Sequence, residues 1–566
     1  MEKRQFLATV SGSAETAIPA GADANFNRFA NAVLPKRAAV AAGVEPFAGP
    51  WNKTQALHLL RRTLFGLTQA DVDKAMSLNA STAVDALLDL PAEAPPPPVV
   101  VSAAELAIPV GQTWIDAVYD GNLNGERGRS LQHWWMGLLL NQGFSIREKM
   151  TLFWHNHFAA ELREVGDAHM MHIELAMLRA NALGNFKDLV KKITLDPAML
   201  RYLNGNTNTK ANPNENYGRE LQELFTIGKG PEISAGNYTN YTEEDVKAAA
   251  RVLTGWRDLR DTRTAEFRAN QHDTANKTFS SAYGGTVITG RTGADGAAEV
   301  DDLITLIFAQ AETARYICRK LYRWFVYYAI DAATEKNVIE PMADLLRKSN
   351  WDVKPVVALL LKSAHFHDAL NLGCFIKTPL DLVVGTLRTL GAVLPDATDV
   401  VKQYAMWKGI EAQSAAMLME LTMPPNVAGW PAYYQDPMFY QTWISSDTLP
   451  RRVQFTDKCV ATKGFQVGAQ YAASDVVAFA KRMAKPGELV PFLTELSDLL
   501  FPIPLTAKQI EYLQGILLDG APMYEWGDEW GAHVDAPDDK AKRAVVETRL
   551  RALLRSMMAM AEYQLC

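Results

Sequence analysis

The segment LFWHNHFAAELRE, residues 152–164, places two histidines one residue apart in an apolar run. On a β-strand, His155 and His157 would point to the same face and could bind one metal ion. The surrounding sequence is long and rich in helix formers, and in a helix residues two apart point about 160° away from each other. We therefore expect His155 and His157 to lie on opposite sides of one helix and to have different partners.

Two interpretations of this pair stay open. Helical spacing places His157 beside Glu161, one turn later, where the two side chains could hold a proton or form one edge of a metal site. The apolar residues around the pair favour burial instead, and a buried imidazole needs a hydrogen-bond partner. In that case both histidines are core residues that hydrogen-bond to neighbouring helices.

A second cluster of ionisable side chains lies in NPNENYGRELQELFTIG. The helical pattern of this segment places Glu220 and Glu223 in a stripe next to the apolar face. Carboxylates at such positions are costly unless they are paired with arginine, lysine or a bound cation. Arg219 could pair locally with Glu215 or Glu223. Alternatively, Glu220 and Glu223 bind a divalent cation or act as general acids.

A third cluster, His272, Asp273 and Lys277, lies in NQHDTANKTF. This segment has too few apolar residues to be core, so we expect a loop whose lysine and histidine reach a substrate from the solvent side. An adjacent His and Asp do not make a catalytic triad by themselves, and a solvated loop is the alternative. We predict that this loop meets the segments around His157 and Glu220 to form one composite site.

Aromatic residues provide candidate binding surfaces. Trp526 and Trp530 lie in YEWGDEWGAH, and Trp430 lies in NVAGWP. Their rings could stack on sugar rings, or they could anchor loops. We take Arg219, Trp256 and Trp430 as the candidate substrate-binding residues.

Helical periodicity dominates the chain and must position these clusters. It runs from about residue 126 to 256 and resumes at about 300. In YTEEDVKAAARVLTGW, Thr242 is a suitable N-cap and Asp245 occupies the capping-box position. The sequence therefore predicts an all-α fold, with one large multi-helix domain over residues 48–566 after a flexible leader and arm over residues 1–47.

Three stretches are predicted to be irregular. Residues 91–101 contain PAEAPPPP and are expected to form a semi-rigid connector, because proline lacks the amide hydrogen that a helix needs. Residues 258–298 are rich in Gly, Thr and Ser and are expected to form a long loop that could include one small β-hairpin. Residues 520–539 are expected to be irregular before a last helix at about 538–562.

Composition and charge exclude some classes of function. The 566 residues carry 57 basic and 64 acidic side chains, so no global positive field attracts nucleic acid or an anionic membrane. No run approaches the ~18 apolar residues that span a bilayer. The four cysteines are far apart and form no CxxC pair, which favours free buried thiols. The N-terminus has no convincing signal peptide, although Lys3-Arg4 is similar to the start of a twin-arginine signal.

Eight segments together resemble one family, the bacterial domain of unknown function 1800 family. They are AGPWNKTQALHLLRRTLFG, FWHNHFA, DPAMLRYLNGN, NPNENYGRELQELFTIG, YTEEDVKAAARVLTGW, HDTANKTF, PPNVAGWP and MAMAEYQLC. The resemblance runs from about residue 48 to the C-terminus. It implies a protein of no established activity, often exported and often encoded beside a protein that resembles alkaline phosphatases and sulfatases. It therefore suggests a periplasmic or extracellular role, with glycans as candidate ligands.

Two functions are compatible with these features. The first is an enzyme, a hydrolase or lyase acting on a polar, carbohydrate-like substrate by acid–base or metal-assisted chemistry. The second is a noncatalytic envelope protein that binds a glycan or a protein partner. Neither nucleic acid nor a membrane span is expected, and a divalent metal ion is a candidate cofactor. The candidate catalytic residues are His157, Glu220, Glu223, His272, Asp273 and Lys277.

Overall fold

Helices form most of the described chain, which confirms the all-α fold class. The computed structural model describes residues 38–566. The predicted leader lies almost entirely outside the described residues, and Val40–Cys566 form one compact unit. Residues 43–47, at the end of the predicted arm, hydrogen-bond through their backbone to residues 362–365.

The first half of the chain contains eleven α-helices among the described residues. They are α1 (Lys53–Thr63), α2 (Gln69–Met76), α3 (Ala80–Leu88), α4 (Asn124–Leu140), α5 (Arg147–Phe158), α6 (Leu162–Val165), α7 (Ala168–Ala180), α8 (Phe186–Thr194), α9 (Pro197–Tyr202), α10 (Glu215–Glu220) and α11 (Glu243–Val252). Helix α10 continues directly into a π-helix, Leu221–Thr226, called the first π-helix below.

The second half continues the helical pattern. Its α-helices are α12 (Glu299–Phe308), α13 (Ala311–Phe325), α14 (Ala332–Thr334), α15 (Glu340–Lys348), α16 (Val353–Leu361), α17 (Pro379–Leu390), α18 (Val400–Ala416), α19 (Thr448–Cys459), α20 (Val476–Ala480), α21 (Leu489–Leu500), α22 (Ala507–Leu518), α23 (Glu525–Asp535) and α24 (Lys540–Ala559). A second π-helix, Glu335–Ile339, joins α14 to α15. The predicted last helix is therefore confirmed as α24.

Four antiparallel hairpins accompany the helices. They pair β1 (Glu232–Ser234) with β2 (Asn237–Tyr238), β3 (Trp256–Leu259) with β4 (Thr264–Phe267), β5 (Lys277–Thr278) with β6 (Val287–Ile288), and β7 (Phe465–Val467) with β8 (Gln470–Ala472). The predicted loop at 258–298 thus contains the whole β5–β6 hairpin and most of the β3–β4 hairpin, rather than one hairpin. A cross-strand contact between Trp256 and Phe267, with ring centroids 5.2 Å apart, stabilises the first of these.

Side-chain caps begin several helices. The Thr242 side chain accepts from the Asp245 amide, and Asp245 accepts from the Thr242 amide, which confirms the capping box of α11. At α17, Thr378 caps and Pro379 takes the first helical position. Proline suits this position because its missing amide hydrogen would have no partner there.

The core surrounds α5. Every residue of this helix from Glu148 to Phe158 is buried, so α5 has no solvent-facing side. A helix buried all round is typical of the centre of a large protein. Both histidines of the HxH segment therefore lie in the interior.

One stretch predicted to be irregular is helical. Residues 525–535 form α23, in which Trp526, Trp530 and His533 are buried. Their spacing of four and three residues places all three side chains on one helix face, and burial of that face outweighs the cost of the glycines in this segment.

Two further observations concern the described residues as a whole. Among residues 38–566, no helix is both long enough and apolar enough to cross a lipid bilayer. The four cysteines are free thiols; Cys374 is partly exposed and the other three are buried.

Candidate functional site

The two histidines of α5 contact different residues. The His157 Nε2 atom donates to the carbonyl oxygen of Phe225 at 3.0 Å, and its Nδ1 accepts from Lys320 Nζ at 3.1 Å. His155 instead meets the ring of Trp135 edge to face, with centroids 5.2 Å apart. These contacts confirm that the two imidazoles have different partners. Across residues 38–566, no three His, Cys, Asp or Glu side chains are arranged to hold a metal ion.

The end of the first π-helix explains the position of His157. The last carbonyl groups of a helix have no intrahelical donors and need partners from elsewhere. His157 serves the carbonyl of Phe225, while Lys320 Nζ and the Tyr316 hydroxyl both donate to the carbonyl of Leu224 at 3.1 Å. His157 is thus a structural cap as well as a candidate catalytic residue.

The helical spacing assumed for His157 and Glu161 is wrong. Helix α5 ends at Phe158, because Ala159 adopts a left-handed conformation with φ of 50°. Glu161 therefore lies beyond the helix, and both ring nitrogens of His157 are engaged with other residues. Burial and the neighbouring Lys320 lower the pKa of His157, so its imidazole is neutral.

Lys320 is a residue of this cluster that sequence reasoning missed. Burial, followed by repulsion from Arg323, lowers the pKa of Lys320 to about 7. The segment ARYICRKLYRWF shows a lysine among apolar helical positions. Only the fold, however, brings Lys320 to His157, 163 positions away in sequence.

Arg219 and Glu223 are satisfied by ion pairs. The Arg219 guanidinium binds both carboxylate oxygens of Glu243, at 2.5 and 2.7 Å, and also Glu215 at 3.2 Å. Glu215 is one of the two local partners that the sequence allowed for Arg219, whereas Glu243 comes from α11. Glu223 pairs with Lys229 at 2.6 Å and accepts from the Tyr241 hydroxyl at 2.9 Å.

Glu220 differs from its neighbours on the stripe. It is half-buried, and among the described residues it makes no hydrogen bond or ion pair through its carboxyl group. Burial raises the pKa of Glu220 to about 7, with a further contribution from the charge of Glu223. At neutral pH this carboxyl group is therefore close to half protonated, which suits a group that gives and takes a proton.

The side chains of His272 and Lys277 are buried although residues 274–276 between them are exposed, so the expected approach of these two side chains from the solvent side is wrong. His272 Nε2 lies 3.1 Å from Glu299 Oε1, and Lys277 Nζ lies 2.5 Å from Glu299 Oε2. All three side chains are at most 1% exposed. Buried charges persist only when paired, and Glu299 at the start of α12 supplies the pairing.

The third residue of this loop also makes an ion pair. Asp273 accepts from Arg251 Nε at 2.7 Å, which fastens the loop to α11. Among the described residues, no hydrogen bond or ion pair connects His272, Asp273 or Lys277 with His157 or Glu220. The predicted composite site therefore stays a prediction, and the contacts of the loop are those of a structural anchor.

The predicted tryptophans are mostly interior residues. Trp430 is 1% exposed, and its amide donates to the Asn156 side chain at 2.9 Å. Trp526 and Trp530 are buried in the face of α23. Trp256 is half-buried against Phe267. Except for Trp256, these rings contact the core and anchor loops or helices.

A polar cleft lies where α6, α9 and β3 meet. Its volume is about 440 Å³. Asp258 is held by Arg201 Nε and by the Asn206 side chain, both at 2.6 Å. Arg260 and Glu164 also line the cleft, which we call the Arg201 cleft. Polar groups dominate its wall, so it suits a ligand rich in hydroxyl or charged oxygen atoms.

A buried carboxylate supports the two arginines of the cleft. Asp167 is 1% exposed and lies 3.6 Å from Arg201 and 3.3 Å from Arg260. Burial alone would raise the pKa of Asp167, but hydrogen bonds from His169 and the Met170 amide lower it overall. The ionised Asp167 thus holds both guanidinium groups at the cleft.

Tyr202 interacts electrostatically with a cleft residue and with Glu220. It follows Arg201 at the end of α9, and its hydroxyl makes no hydrogen bond to the described residues. Burial raises the pKa of Tyr202, and the carboxyl groups of Glu161, Glu220 and Glu164 raise it further. Tyr202 is therefore within electrostatic reach of Glu164, which lines the cleft, and of Glu220.

The cleft residues were not predicted as site residues. The segment DPAMLRYLNGN carries Arg201, Tyr202 and Asn206 within six positions. This concentration of polar side chains is the sequence signal that could have indicated a binding site. Their partner Asp258 lies on β3, and only the packing of α9 against this strand brings the residues together.

The fold and the cleft define a large all-α protein with small hairpins and an open polar site. The family model described as protein of unknown function (DUF1800) matches residues 58–565, nearly the whole chain. The chain therefore belongs to this family. No curated protein and no solved structure matches it.

Proposed function

We propose that the protein is an enzyme, a hydrolase or lyase, that acts on a polar, carbohydrate-like substrate by acid–base chemistry. In this proposal the substrate extends from the Arg201 cleft to Glu220, which lies outside the cleft lining, and Glu220 transfers the proton. The observation that carries this proposal is the state of Glu220, a half-buried carboxyl group that has no partner among residues 38–566 and whose pKa burial raises to about 7.

Glu220 and the two arginines of the cleft together supply the groups that such a reaction needs. In its protonated form Glu220 donates a proton to a leaving oxygen, and in its ionised form it removes one. Arg201 and Arg260 are positioned by Asp167 to hold substrate oxygens and to stabilise negative charge that develops on them.

Binding without catalysis is the second candidate function, and one observation favours it. The Arg260 guanidinium lies 4.0 Å from the ring centroid of the half-buried Tyr119, which gives the cleft an aromatic edge. Aromatic and arginine groups at a polar cleft are typical of glycan-binding surfaces. A noncatalytic protein of this kind would bind a glycan and leave it unchanged.

Family membership adds the cellular context of the proposal. It suggests a periplasmic or extracellular role next to a phosphatase- or sulfatase-like partner protein. Cell fractionation of the native bacterium tests the location, and affinity capture of that partner by the full chain tests the association.

The experiment is a turnover screen of the purified full chain against glycans and esters, with and without a chelator. We expect product formation by the native protein and a loss of about 10²-fold or more in Glu220→Gln. Glu215→Gln is the matched control, because Glu215 lies on the same helix and pairs with Arg219 instead. Binding of a glycan without any turnover would favour the second function.

A further inference from the structure

A second pocket lies between α4 and α18, and no residue lines both this pocket and the Arg201 cleft. Its volume is about 250 Å³. Each helix contributes residues three or four positions apart, which places them along one face of that helix. We call it the His133 pocket.

Apolar groups contribute most of the lining. Val401, Tyr404 and Ala405 come from α18, and Val101 comes from the end of the proline-rich connector. Such a lining removes hydrocarbon from water at about 25 cal/mol per Å² of buried surface. The pocket therefore suits a ligand with an apolar part.

His133 supplies an unpaired polar group. It is 7% exposed and lines the pocket, yet neither ring nitrogen hydrogen-bonds to any of the residues 38–566. The buried His157, by contrast, has a hydrogen-bond partner at each ring nitrogen. A neutral imidazole in this state has an N–H group that can donate a hydrogen bond to a bound ligand.

Two cationic side chains and one carboxylate, that of Glu126, also line the pocket. Lys408 lines the pocket from α18 and makes no ion pair with the described residues, while Arg129 of α4 pairs with Glu126 at 2.5 Å. Burial, then Lys408 and Arg129, lower the pKa of His133 to about 4. The histidine is thus a neutral donor beside one uncompensated cation.

We propose that the His133 pocket binds a small amphipathic carboxylate. The carboxylate accepts hydrogen bonds from His133 and Lys408, and a short hydrocarbon tail packs against Val101, Val401 and Tyr404. An inorganic anion would leave the apolar wall uncovered, and a neutral hydrocarbon would leave His133 without a partner. This inference is independent of the function proposed for the Arg201 cleft.

Isothermal titration calorimetry of the full chain tests the ligand class. We expect hexanoate to bind, and hexanamide and acetate to bind at least about tenfold more weakly, because the first lacks the charge and the second lacks the tail. Equal affinity for hexanoate and hexanamide would overturn the proposal, as would the absence of any heat with hexanoate.

Variants locate the binding site. Lys408→Gln should weaken hexanoate binding about tenfold, and Ala405→Trp should abolish it by filling the pocket. Lys402→Gln is the matched control, because Lys402 is exposed on the same helix and pairs with Asp399. Unchanged affinity for hexanoate in Lys408→Gln would overturn the assignment. If Ala405→Trp does not fold, Lys408→Gln alone decides the test, because it changes an exposed side chain.

Discussion

The His157 Nε2 atom lies 3.0 Å from the carbonyl oxygen of Phe225, so a histidine of the central helix α5 caps the end of the first π-helix. The histidine that was a candidate for chemistry from its sequence is at the same time a link between two buried elements. Its substitution therefore has a measurable consequence for stability.

We expect His157→Ala to lower the free energy of unfolding by about 2–4 kcal/mol, because it leaves a buried carbonyl unsatisfied and opens a cavity. Urea denaturation followed by circular dichroism measures the change. Unchanged stability would contradict the capping role.

The buried trio of His272, Lys277 and Glu299 gives a second prediction. Lys277→Met leaves the Glu299 carboxylate without its lysine partner and should lower the free energy of unfolding by about 3–5 kcal/mol. The double variant Lys277→Met with Glu299→Leu should be more stable than the single one, since no charge is left unpaired. Thermal unfolding compares the variants; a single variant as stable as the native protein would favour a solvated loop.

Glu174 of α7 gives a prediction for pH dependence. It is fully buried, neither carboxylate oxygen has a hydrogen-bond partner among the described residues, and burial raises its pKa well above 4.5. The folded protein retains a proton that the unfolded chain loses, so stability falls as pH rises above about 4.5 towards the folded pKa. Glu174→Gln should remove this loss.

Urea denaturation of both proteins between about pH 5 and about pH 8 tests that prediction, because carboxyl groups of ordinary pKa stay ionised over this range. As pH rises, the free energy of unfolding of the native protein should fall more steeply than that of Glu174→Gln, by up to about 1.4 kcal/mol per pH unit. Parallel curves would show that Glu174 is not protonated in the folded state.

Arg260 tests the Arg201 cleft. Its side chain is 42% exposed, and Asp167 keeps Arg201 as a partner, so Arg260→Gln should change stability by less than about 1 kcal/mol. The same variant should weaken binding of any glycan found in the screen. Arg268→Gln is the control, because Arg268 is similarly exposed and pairs with Glu266. Equal binding by both variants would place the ligand elsewhere.

Local patterns predicted much of the fold. The capping box of Thr242 and Asp245 and the Thr378-Pro379 start of α17 depend on neighbours in sequence, so the sequence contains their signal. Helix α23 was missed because its glycines and acidic residues favour a loop. The burial of Trp526 and Trp530 that stabilises it depends on tertiary contacts.

The candidate site was less predictable, because its contacts connect distant parts of the chain. Glu299 pairs with Lys277 from 22 positions away, and Lys320 reaches His157 from 163 positions away. A polar segment such as HDTANKTF has the composition of a surface loop. The burial of His272 and Lys277 depends on their pairing with Glu299, which the composition of the segment does not show.

The protonation of Glu220 tests the central proposal most directly. Carbon-13 NMR of protein labelled at glutamate carboxyl groups, compared with Glu220→Gln, identifies its signal without a known substrate. We predict a midpoint at a pH of about 7 for the signal that is missing from the variant. A midpoint near the ordinary glutamate value of about 4.3 would contradict the assignment of Glu220 as the proton-transfer group.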